Sequence, residues 1–302
     1  MPFLGAGANL CDRPDGAAWE PGLFVPSGAE LARVLAERSS YPDAGEPDLT
    51  WVAEYLVSAM GERELYRLLH GVFDADYQPT SLHCLLARLP VILREQGEGQ
   101  LLILTTNYDV LVDRALEEAG EQFDVLWREA KPGGRNQGLF MHRRPEGDVV
   151  PVTRPSRYVG IPTPLERPVV VKLHGSVDRH DPLNDSYVLD EESYIRYLTG
   201  PGLSKLIPLA VMSEIVDSHL LFLGYSMRDW NIRAMLSEDG PRHRAGLKSW
   251  AVQLQPPSEA TRTITQQIWQ RLGDVDILDI PLSDYVSELA AELDAIVLPE
   301  RS

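Results

Sequence analysis

Cysteine, basic charge and long apolar runs are all scarce in this sequence of 302 residues. Its two cysteines, Cys11 and Cys84, lie far apart, so they cannot supply the four closely spaced ligands of a structural zinc site. A formal net charge of −17 argues against a nucleic-acid-binding surface. The apolar runs are far too short to span a bilayer, and no signal peptide opens the chain. We therefore expect a cytoplasmic protein with no metal, no direct nucleic-acid binding and no membrane contact.

Short apolar runs alternate with helical patterns along most of the chain. Buried parallel strands lose the alternation of polar and apolar residues because helices cover both faces of the sheet. Six runs have this character: Pro2–Leu4, Leu101–Thr105, Val169–Leu173, Leu220–Leu223, Ser249–Leu254 and Val275–Leu278. Apolar residues spaced three and four apart predict helices between them: Ala29–Arg38, Tyr108–Ala119, Trp230–Leu236, Glu259–Leu272 and Leu282–Ile296. This order predicts an α/β fold with a doubly wound, Rossmann-like parallel sheet.

Two stretches break the alternation of strands and helices. Residues 41–97 look helical almost throughout, and residues 127–167 are rich in proline, glycine and arginine. Insertions of this length usually carry their own structure or a function. We expect a single domain, 1–302, with a Rossmann-like core at approximately 1–40, 98–126 and 168–302. The segments 41–97 and 127–167 would then form an inserted helical cap or small domain without a zinc ribbon.

Glycines and polar residues follow four of the predicted strands. The first motif, Gly5–Asn9, follows the first strand, and its glycines allow the backbone to approach a phosphate. Leu10 stands where the dinucleotide fingerprint has its third glycine, so a plain tight turn is the alternative. In the second motif, Thr105–Asp109, either Asn107 or Asp109 serves to cap the next helix. Capping explains one of these two residues but not both at the carboxyl end of a buried strand, where α/β proteins bind ligands.

The third and fourth motifs repeat the same design. His174 ends an aliphatic strand and precedes a glycine, and imidazole is the usual proton acceptor near neutral pH. A structural histidine is the alternative, but its place at the same sheet edge favours a functional role. Gly224, Tyr225 and Ser226 follow another aliphatic strand, and a serine hydroxyl can donate to a phosphate or a ribose.

Taken together and in this order, the four motifs resemble those of the sirtuin superfamily, in particular the prokaryotic SIR2-like NADase domains of anti-phage defence systems. Gly5-Ala6-Gly7 is similar to the sirtuin phosphate loop, and Thr106-Asn107-Tyr108-Asp109 to its Gln-Asn-Ile-Asp element. Leu173-His174-Gly175 resembles the segment with the catalytic histidine, and Gly224-Tyr225-Ser226 the later Gly-Thr-Ser loop. The resemblance covers nearly the whole chain, but the four zinc cysteines of deacylating sirtuins are missing.

The resemblance implies a role for each matching residue. Asn107 and His174 would be catalytic: Asn107 would contact the nicotinamide ribose and position a water, and His174 would act as general base or orient the ribose hydroxyls. Asp109 would hydrogen-bond the nicotinamide amide. The backbone of Ala6, Gly7 and Ala8 would hold the pyrophosphate, with Asn9 close by, and Gly224 and Ser226 would bind the adenosine side. The other expected NAD+-binding residues are Gly5, Thr106 and Tyr225.

The function implied by the resemblance is hydrolysis of NAD+ to ADP-ribose and nicotinamide. A non-catalytic module that senses NAD+ or ADP-ribose is the alternative, and the missing zinc cysteines make protein deacylation the weakest hypothesis. Free NADase activity would kill the host, so we expect an enzyme that stays inactive until a partner or assembly triggers it. By resemblance, the partners would be further copies in a homo-oligomer and a HerA-like ATPase, or alternatively an Argonaute-like protein.

Overall fold

The structure, a computed structural model, describes residues 1–43, 45–225, 247–254 and 258–297. Within these ranges the strands are β1 (Pro2–Leu4), β2 (Leu102–Thr105), β3 (Asp124–Arg128), β4 (Phe140–Arg143), β5 (Val149–Pro151), β6 (Val169–Lys172), β7 (Gly175–Ser176), β8 (Ser186–Tyr187), β9 (Leu221–Leu223), β10 (Ser249–Val252) and β11 (Val275–Leu278). The six strands predicted from apolar runs are all present, each within two residues of its predicted ends. The predicted helix Trp230–Leu236 lies outside the described residues.

Nine of these strands form one sheet in the order β11-β10-β9-β1-β2-β6-β3-β4-β5. Neighbouring strands are parallel from β11 through to β3, and the last two pairs, β3 with β4 and β4 with β5, are antiparallel. Strands β7 and β8 form a separate antiparallel pair. The mostly parallel sheet confirms the predicted α/β class.

The helices are α1 (Gly28–Ser39), α2 (Leu49–Met60), α3 (Glu62–Phe73), α4 (Ser81–Gln96), α5 (Leu111–Glu118), α6 (Glu191–Thr199), α7 (Leu203–Leu206), α8 (Leu209–Asp217), α9 (Glu259–Gly273) and α10 (Leu282–Val297). None of these described helices combines the length and the apolar character that crossing a bilayer requires. Several begin at a side-chain cap. Asp48, for example, accepts hydrogen bonds from the first backbone N–H groups of α2.

Helices cover both faces of the sheet, as a doubly wound fold requires. Alternate strand residues point to opposite faces, so Val169 and Val171 pack on one side and Val170 on the other. The first side is closed by α7, α8 and α9, and the second by α4, α5 and α10. The aliphatic strand runs therefore lie between two apolar layers, which explains why they lack period-two alternation.

A third hydrophobic cluster lies beside the sheet. Helices α1, α2 and α3 share a core that includes Leu35, Leu56 and Leu69, each fully buried, and it packs against Tyr108 and Tyr187. Helix α4 lies in the segment predicted as an insert, but it packs on the sheet, whereas α1 packs with α2 and α3. The helical cap is thus built from α1–α3. The division into a core and an insert at 41–97 stays a prediction.

The segment 127–167 contributes strands to the main sheet. Strands β4 and β5 extend the sheet beyond β3 as an antiparallel edge. A buried polar contact joins β4 to β3, because His142 Nε2 lies 2.8 Å from the Asp124 carboxylate oxygen Oδ1. Arg167 Nε donates to the same carboxylate at 2.7 Å. Asp124 and His142 are both fully buried. Among the residues that the structure describes, no group of histidine, cysteine or acidic side chains could hold a metal ion.

Candidate active site

The four motifs begin at the same level of the sheet. Leu4 is paired in register with Thr105 on one side and with Leu223 on the other, and Thr105 is paired with Lys172. The loops that leave these four strands therefore emerge side by side at the carboxyl edge. This is the edge at which doubly wound proteins bind their ligands.

The glycine loop after β1 packs directly against the loop after β9. Gly5 N–H donates to the Leu223 carbonyl at 3.1 Å, and Gly7 N–H donates to the Gly224 carbonyl at 2.8 Å. A Cβ atom on Gly7 would lie 2.7 Å from the Gly224 oxygen, and one on Gly224, whose φ is +63°, would lie 2.2 Å from the Ala8 nitrogen. The glycines are thus required by the contact between two backbones, which is a reason for them that the sequence does not reveal.

The glycine loop continues as a short 3-10 helix, Ala6–Leu10. The Ala8 N–H donates to the Gly5 carbonyl at 3.0 Å, so two of the three N–H groups predicted to face a pyrophosphate, those of Gly7 and Ala8, already have acceptors in the protein. Ala6 is exposed and Gly7 half-buried, whereas Ala8 is buried. The open side of this loop is therefore at Ala6 and Gly7.

Asn9 and Asp109 form a buried pair beneath the glycine loop. Asn9 Nδ2 donates to Asp109 Oδ2 at 2.7 Å, and Leu111 N–H donates to Asp109 Oδ1 at 3.0 Å. Asp109 therefore has the capping role considered from the sequence, and it also orients Asn9. Among the described residues, Asn9 Oδ1 has no hydrogen-bond partner although it is buried. It is an acceptor available to a ligand amide or to a water.

Residues at the N-terminal end of helix α4 contact the glycine loop. Thr80 Oγ1 lies 3.3 Å from the Ala8 carbonyl, and His83 Nδ1 accepts from the Thr80 backbone N–H at 3.1 Å. Burial lowers the pKa of His83, and the opposing influence of Asp109 and Asp12 is smaller. The ring is therefore neutral at physiological pH, with its proton on Nε2, because Nδ1 accepts.

Asn107 joins the loop after β2 to the glycine loop. Its Nδ2 donates to the Gly5 carbonyl at 3.1 Å, and its backbone N–H donates to Thr105 Oγ1 at 3.0 Å. The neighbouring Thr106 N–H donates to the Leu4 carbonyl at 3.2 Å. The Asn107 side chain is half-buried at the sheet edge, so the structure brings together the first two motifs as the sequence predicts.

His174 lies one strand further along the same edge. It is only 3% exposed, and its ring meets that of Tyr194 edge-on at 5.9 Å between centroids. Its carbonyl accepts from the Val188 N–H at 2.9 Å. The following residue, Gly175, has φ of +97°, and a Cβ there would lie 2.1 Å from the Ser186 carbonyl oxygen. The turn that carries His174 is thus fixed against β8.

Two predicted binding residues remain, Tyr225 and Ser226. The ring of Tyr225 packs in the apolar core, with centroid distances of 5.3 Å to Phe3 and 5.8 Å to Phe222. Tyr225 would therefore meet a ligand through its backbone rather than its ring. Ser226 lies outside the described residues.

Two charged residues at this edge were not identified from the sequence as site residues. Lys172 is 1% exposed, and its Nζ lies 2.8 Å from Asp113 Oδ2. Burial alone would raise the pKa of Asp113, but Lys172 and Arg143 outweigh burial and lower it, so the carboxyl is ionised. A lysine that ends an otherwise aliphatic buried strand was the signal available in the sequence.

A cavity of about 360 Å³ opens beside this row of loops, at the carboxyl end of β3. Its walls include Arg128, Arg196 and Val188, the residue whose N–H bonds the His174 carbonyl. None of the predicted site residues is among the described residues that line it. The candidate active site is therefore defined by the four loops, and the cavity lies next to it on the side of His174.

A row of glycine and polar loops at the carboxyl edge of a parallel sheet is typical of a doubly wound α/β protein and makes this edge the candidate ligand site. The sequence profile of the SIR2-like domain family matches residues 101–272, which is more than half of the chain. The chain therefore belongs to the SIR2-like domain family.

Three relatives illustrate this family. The chain is 24% identical to NAD(+) hydrolase ThsA of Cytobacillus dafuensis over 79% of its own length and 39% of that protein. It is 26% identical to NAD(+) hydrolase ThsA of Acinetobacter baumannii (strain 532279), over 72% of the chain and 37% of that protein. It is 25% identical to Defense-associated sirtuin 2 of Bacillus subtilis, over 82% of the chain and 21% of that protein. The chain thus spans about two fifths or less of the length of these relatives.

Proposed function

We propose that this chain hydrolyses NAD+ to ADP-ribose and nicotinamide and acts as the effector of a bacterial anti-phage defence system. The observation that carries the proposal is the row of loops at one sheet edge, with Asn107 bonded to Gly5 and His174 in the turn after the adjacent strand β6. Membership of the SIR2-like family and the relatives named NAD(+) hydrolase support the reaction. The relative named as a defence-associated sirtuin supports the biological role.

The proposed binding mode follows the row of loops. The pyrophosphate lies at the open side of the glycine loop, at Ala6 and Gly7, and the adenosine lies towards the loops after β9, at Gly224. The nicotinamide amide reaches towards Asp109 and Asn9, where the buried Asn9 Oδ1 can accept from the amide NH₂. A buried acceptor is favourable here because a ligand donor replaces the water that the acceptor would otherwise require.

The proposed reaction breaks the bond between the ribose C1′ and the nicotinamide nitrogen. The bonding electron pair leaves on that nitrogen, which neutralises its positive charge, and C1′ becomes cation-like in the transition state. Asn107 Oδ1 holds a water at the ribose, the water oxygen bonds to C1′, and His174 takes the water proton. Positioning of the water supplies much of the acceleration, and general-base help adds roughly 10²–10⁴-fold.

Regulation is part of the proposal, since uncontrolled loss of NAD+ harms the host. We propose that the chain acts in a homo-oligomer and that a partner holds it inactive or triggers it. A HerA-like ATPase is the preferred partner and an Argonaute-like protein the alternative. Both follow from the resemblance of the motifs. Nicotinamide release should therefore be measured with and without the product of the neighbouring gene.

The experiment is a nicotinamide-release assay on the wild type, Asn107→Ala and His174→Ala, with His180→Ala as the control. His180 is an exposed histidine outside the four motifs, so its removal should leave both turnover and stability unchanged. We expect the two site variants to lose nicotinamide release while their unfolding temperatures stay close to that of the wild type. Turnover like that of the wild type in either site variant would contradict the assignment.

The same assay separates hydrolysis from the sensing alternative. A wild type that binds NAD+ or ADP-ribose but releases no nicotinamide, with or without its partner, would identify a non-catalytic sensing module. A wild type that binds neither ligand would overturn both functions.

A further inference from the structure

The ammonium group of Lys172 contacts residues of two loops and of helix α5. Its Nζ donates to the Asp109 carbonyl at 2.9 Å and to Ser176 Oγ at 3.1 Å, and it pairs with Asp113 Oδ2 at 2.8 Å. An ammonium has three protons and no acceptor. The buried ammonium is thus enclosed by two hydrogen-bond acceptors and one carboxylate of the protein, and at 1% exposure the side chain has almost no surface for a substrate.

Burying the ion pair of Lys172 and Asp113 at the end of strand β6 is energetically costly. Lys172 is 1% exposed and Asp113 is 4% exposed, and taking both charges out of water is offset only by good geometry. An apolar side chain would complete the aliphatic strand β6 without that cost. An apolar side chain could not, however, donate hydrogen bonds to both the Asp109 carbonyl and the Ser176 hydroxyl and so link the two loops.

Those two partners lie next to the proposed catalytic residues. Asp109 is two residues after Asn107, and Ser176 is two residues after His174. A single ammonium group thus ties the loop after β2 to the turn after β6. Resting on the proposed NAD+ hydrolysis, we propose that Lys172 is a positioning residue, which sets the spacing of Asn107 and His174 without touching the substrate.

The competing explanation is that Lys172 only neutralises the buried Asp113. The double variant Lys172→Met/Asp113→Asn separates the two, because it removes both buried charges together. Arg143, which also pairs with Asp113, is a third exposed and keeps Glu117 as a partner. If neutralisation of Asp113 were the whole role of Lys172, this double variant would match the wild type in both stability and turnover. If Lys172 positions the two loops, the variant folds but keeps a low kcat, since a misplacement of about 1 Å can cost on the order of 10²-fold.

Ser176→Ala is the second variant, and it leaves the ion pair intact. It removes one of the two hydrogen bonds of Lys172, the one on the side of His174, so we expect kcat to fall by roughly 10-fold while KM changes little. The affinity for ADP-ribose should also stay close to that of the wild type, because the loops that hold the pyrophosphate are unchanged. A merely structural role would not lower kcat alone.

The assay measures kcat and KM for nicotinamide release, ADP-ribose affinity and the unfolding temperature, under the condition in which the wild type turns over. Folded variants with reduced kcat and an unchanged ADP-ribose affinity support the inference. Wild-type kcat in the double variant or in Ser176→Ala overturns it. A wild type that binds NAD+ without releasing nicotinamide overturns the proposed function, and the inference with it.

Discussion

The side-chain Nδ2 of Asn107 donates a hydrogen bond of 3.1 Å to the carbonyl oxygen of Gly5. This bond joins two loops that lie about 100 residues apart in the sequence. It also fixes which end of the Asn107 side-chain amide, the nitrogen or the oxygen, faces the glycine loop. Because the carbonyl of Gly5 can only accept, the nitrogen must face it, and Oδ1 is the end that can accept from a water or a ribose hydroxyl.

We therefore expect Asn107→Asp to be more damaging than Asn107→Ala. A carboxylate cannot donate to the Gly5 carbonyl, so two acceptors would face each other, at a cost of roughly 1–3 kcal/mol. The alanine variant loses the bond without adding this repulsion. Urea unfolding should show the larger loss of stability for the aspartate variant, and neither variant should release nicotinamide. An aspartate variant as stable as the wild type would contradict this view of the loop contact.

The contact between Gly7 and Gly224 predicts a second result. Gly224→Ala would place a Cβ 2.2 Å from the Ala8 nitrogen, in backbone, where nothing can move aside cheaply. We expect it to lose at least about 3 kcal/mol of stability, together with NAD+ binding. The measurements are urea unfolding and ligand titration.

Gly22→Ala is the matched control for this glycine. Gly22 also has a positive φ, +83°, but a Cβ there would meet nothing within 4 Å. It should lose only the cost of the left-handed backbone, about 1–2 kcal/mol, and keep NAD+ binding. Equal losses in the two variants would show that backbone strain, and not the contact of the two loops, explains Gly224.

The fold was predictable where the sequence signal is local. Buried parallel strands such as Val169–Lys172 are aliphatic runs between helical patterns, and their carboxyl ends meet at one edge for topological reasons. Strands β3, β4 and β5 were not predicted. Asp124 begins β3 and His142 lies within β4, and such polar residues do not indicate buried strands. Their burial is made possible by the bond between them and by the bond of Arg167 to Asp124.

The loops that form the candidate site could be predicted from the sequence, but the contacts between those loops could not. The sequence indicates that Gly7 and Asn107 belong to one edge, since both follow buried strands. It does not reveal that Gly7 packs on Gly224, or that Lys172 bonds Asp109 and Ser176. These contacts join residues far apart in the chain, and a lysine or a glycine has many local explanations before its neighbours are known.

The contacts of Glu30 predict that the segment after the glycine loop becomes less stable at acidic pH. Its carboxylate accepts from Arg13 Nη1 at 2.8 Å, from the Trp19 N–H at 3.0 Å and from the Ser27 N–H at 2.9 Å. The hydrogen bonds from Arg13, opposed by burial and aided by Ser27, lower the pKa of Glu30 from 4.5 to about 2. A lowered pKa stabilises the fold above about pH 4.5, and that contribution is lost as the pH falls towards 2.

We expect Glu30→Gln to lose up to about 3 kcal/mol of unfolding free energy at neutral pH. The difference from the wild type should shrink between pH 4.5 and about 2, where the wild-type carboxyl becomes protonated. Glu37→Gln on the exposed face of α1 is the control and should change little at any pH. Denaturant unfolding at a series of pH values measures this, and a difference that does not depend on pH would argue against the role of Glu30.

The buried contacts of Asp124 predict how the antiparallel edge of the sheet is held. Asp124 is fully buried and bonds both His142 and Arg167. Asp124→Asn puts an amide NH₂ where one of these donors points, and breaking a buried ion pair costs about 3–5 kcal/mol. Asp148→Asn, in the exposed turn between β4 and β5, is the matched control and should have almost no effect on the unfolding temperature.

Treatment with a metal chelator is a second test of how the edge of the sheet is held. A structural metal site would make this part of the fold depend on metal, whereas the edge strands of this protein are joined to the sheet by hydrogen bonds and ion pairs of its own side chains. We expect EDTA to leave the unfolding temperature of the wild type unchanged while Asp124→Asn lowers it strongly. A chelator-sensitive wild type, with an Asp124→Asn variant of normal stability, would mean that a metal and not this network holds the edge of the sheet.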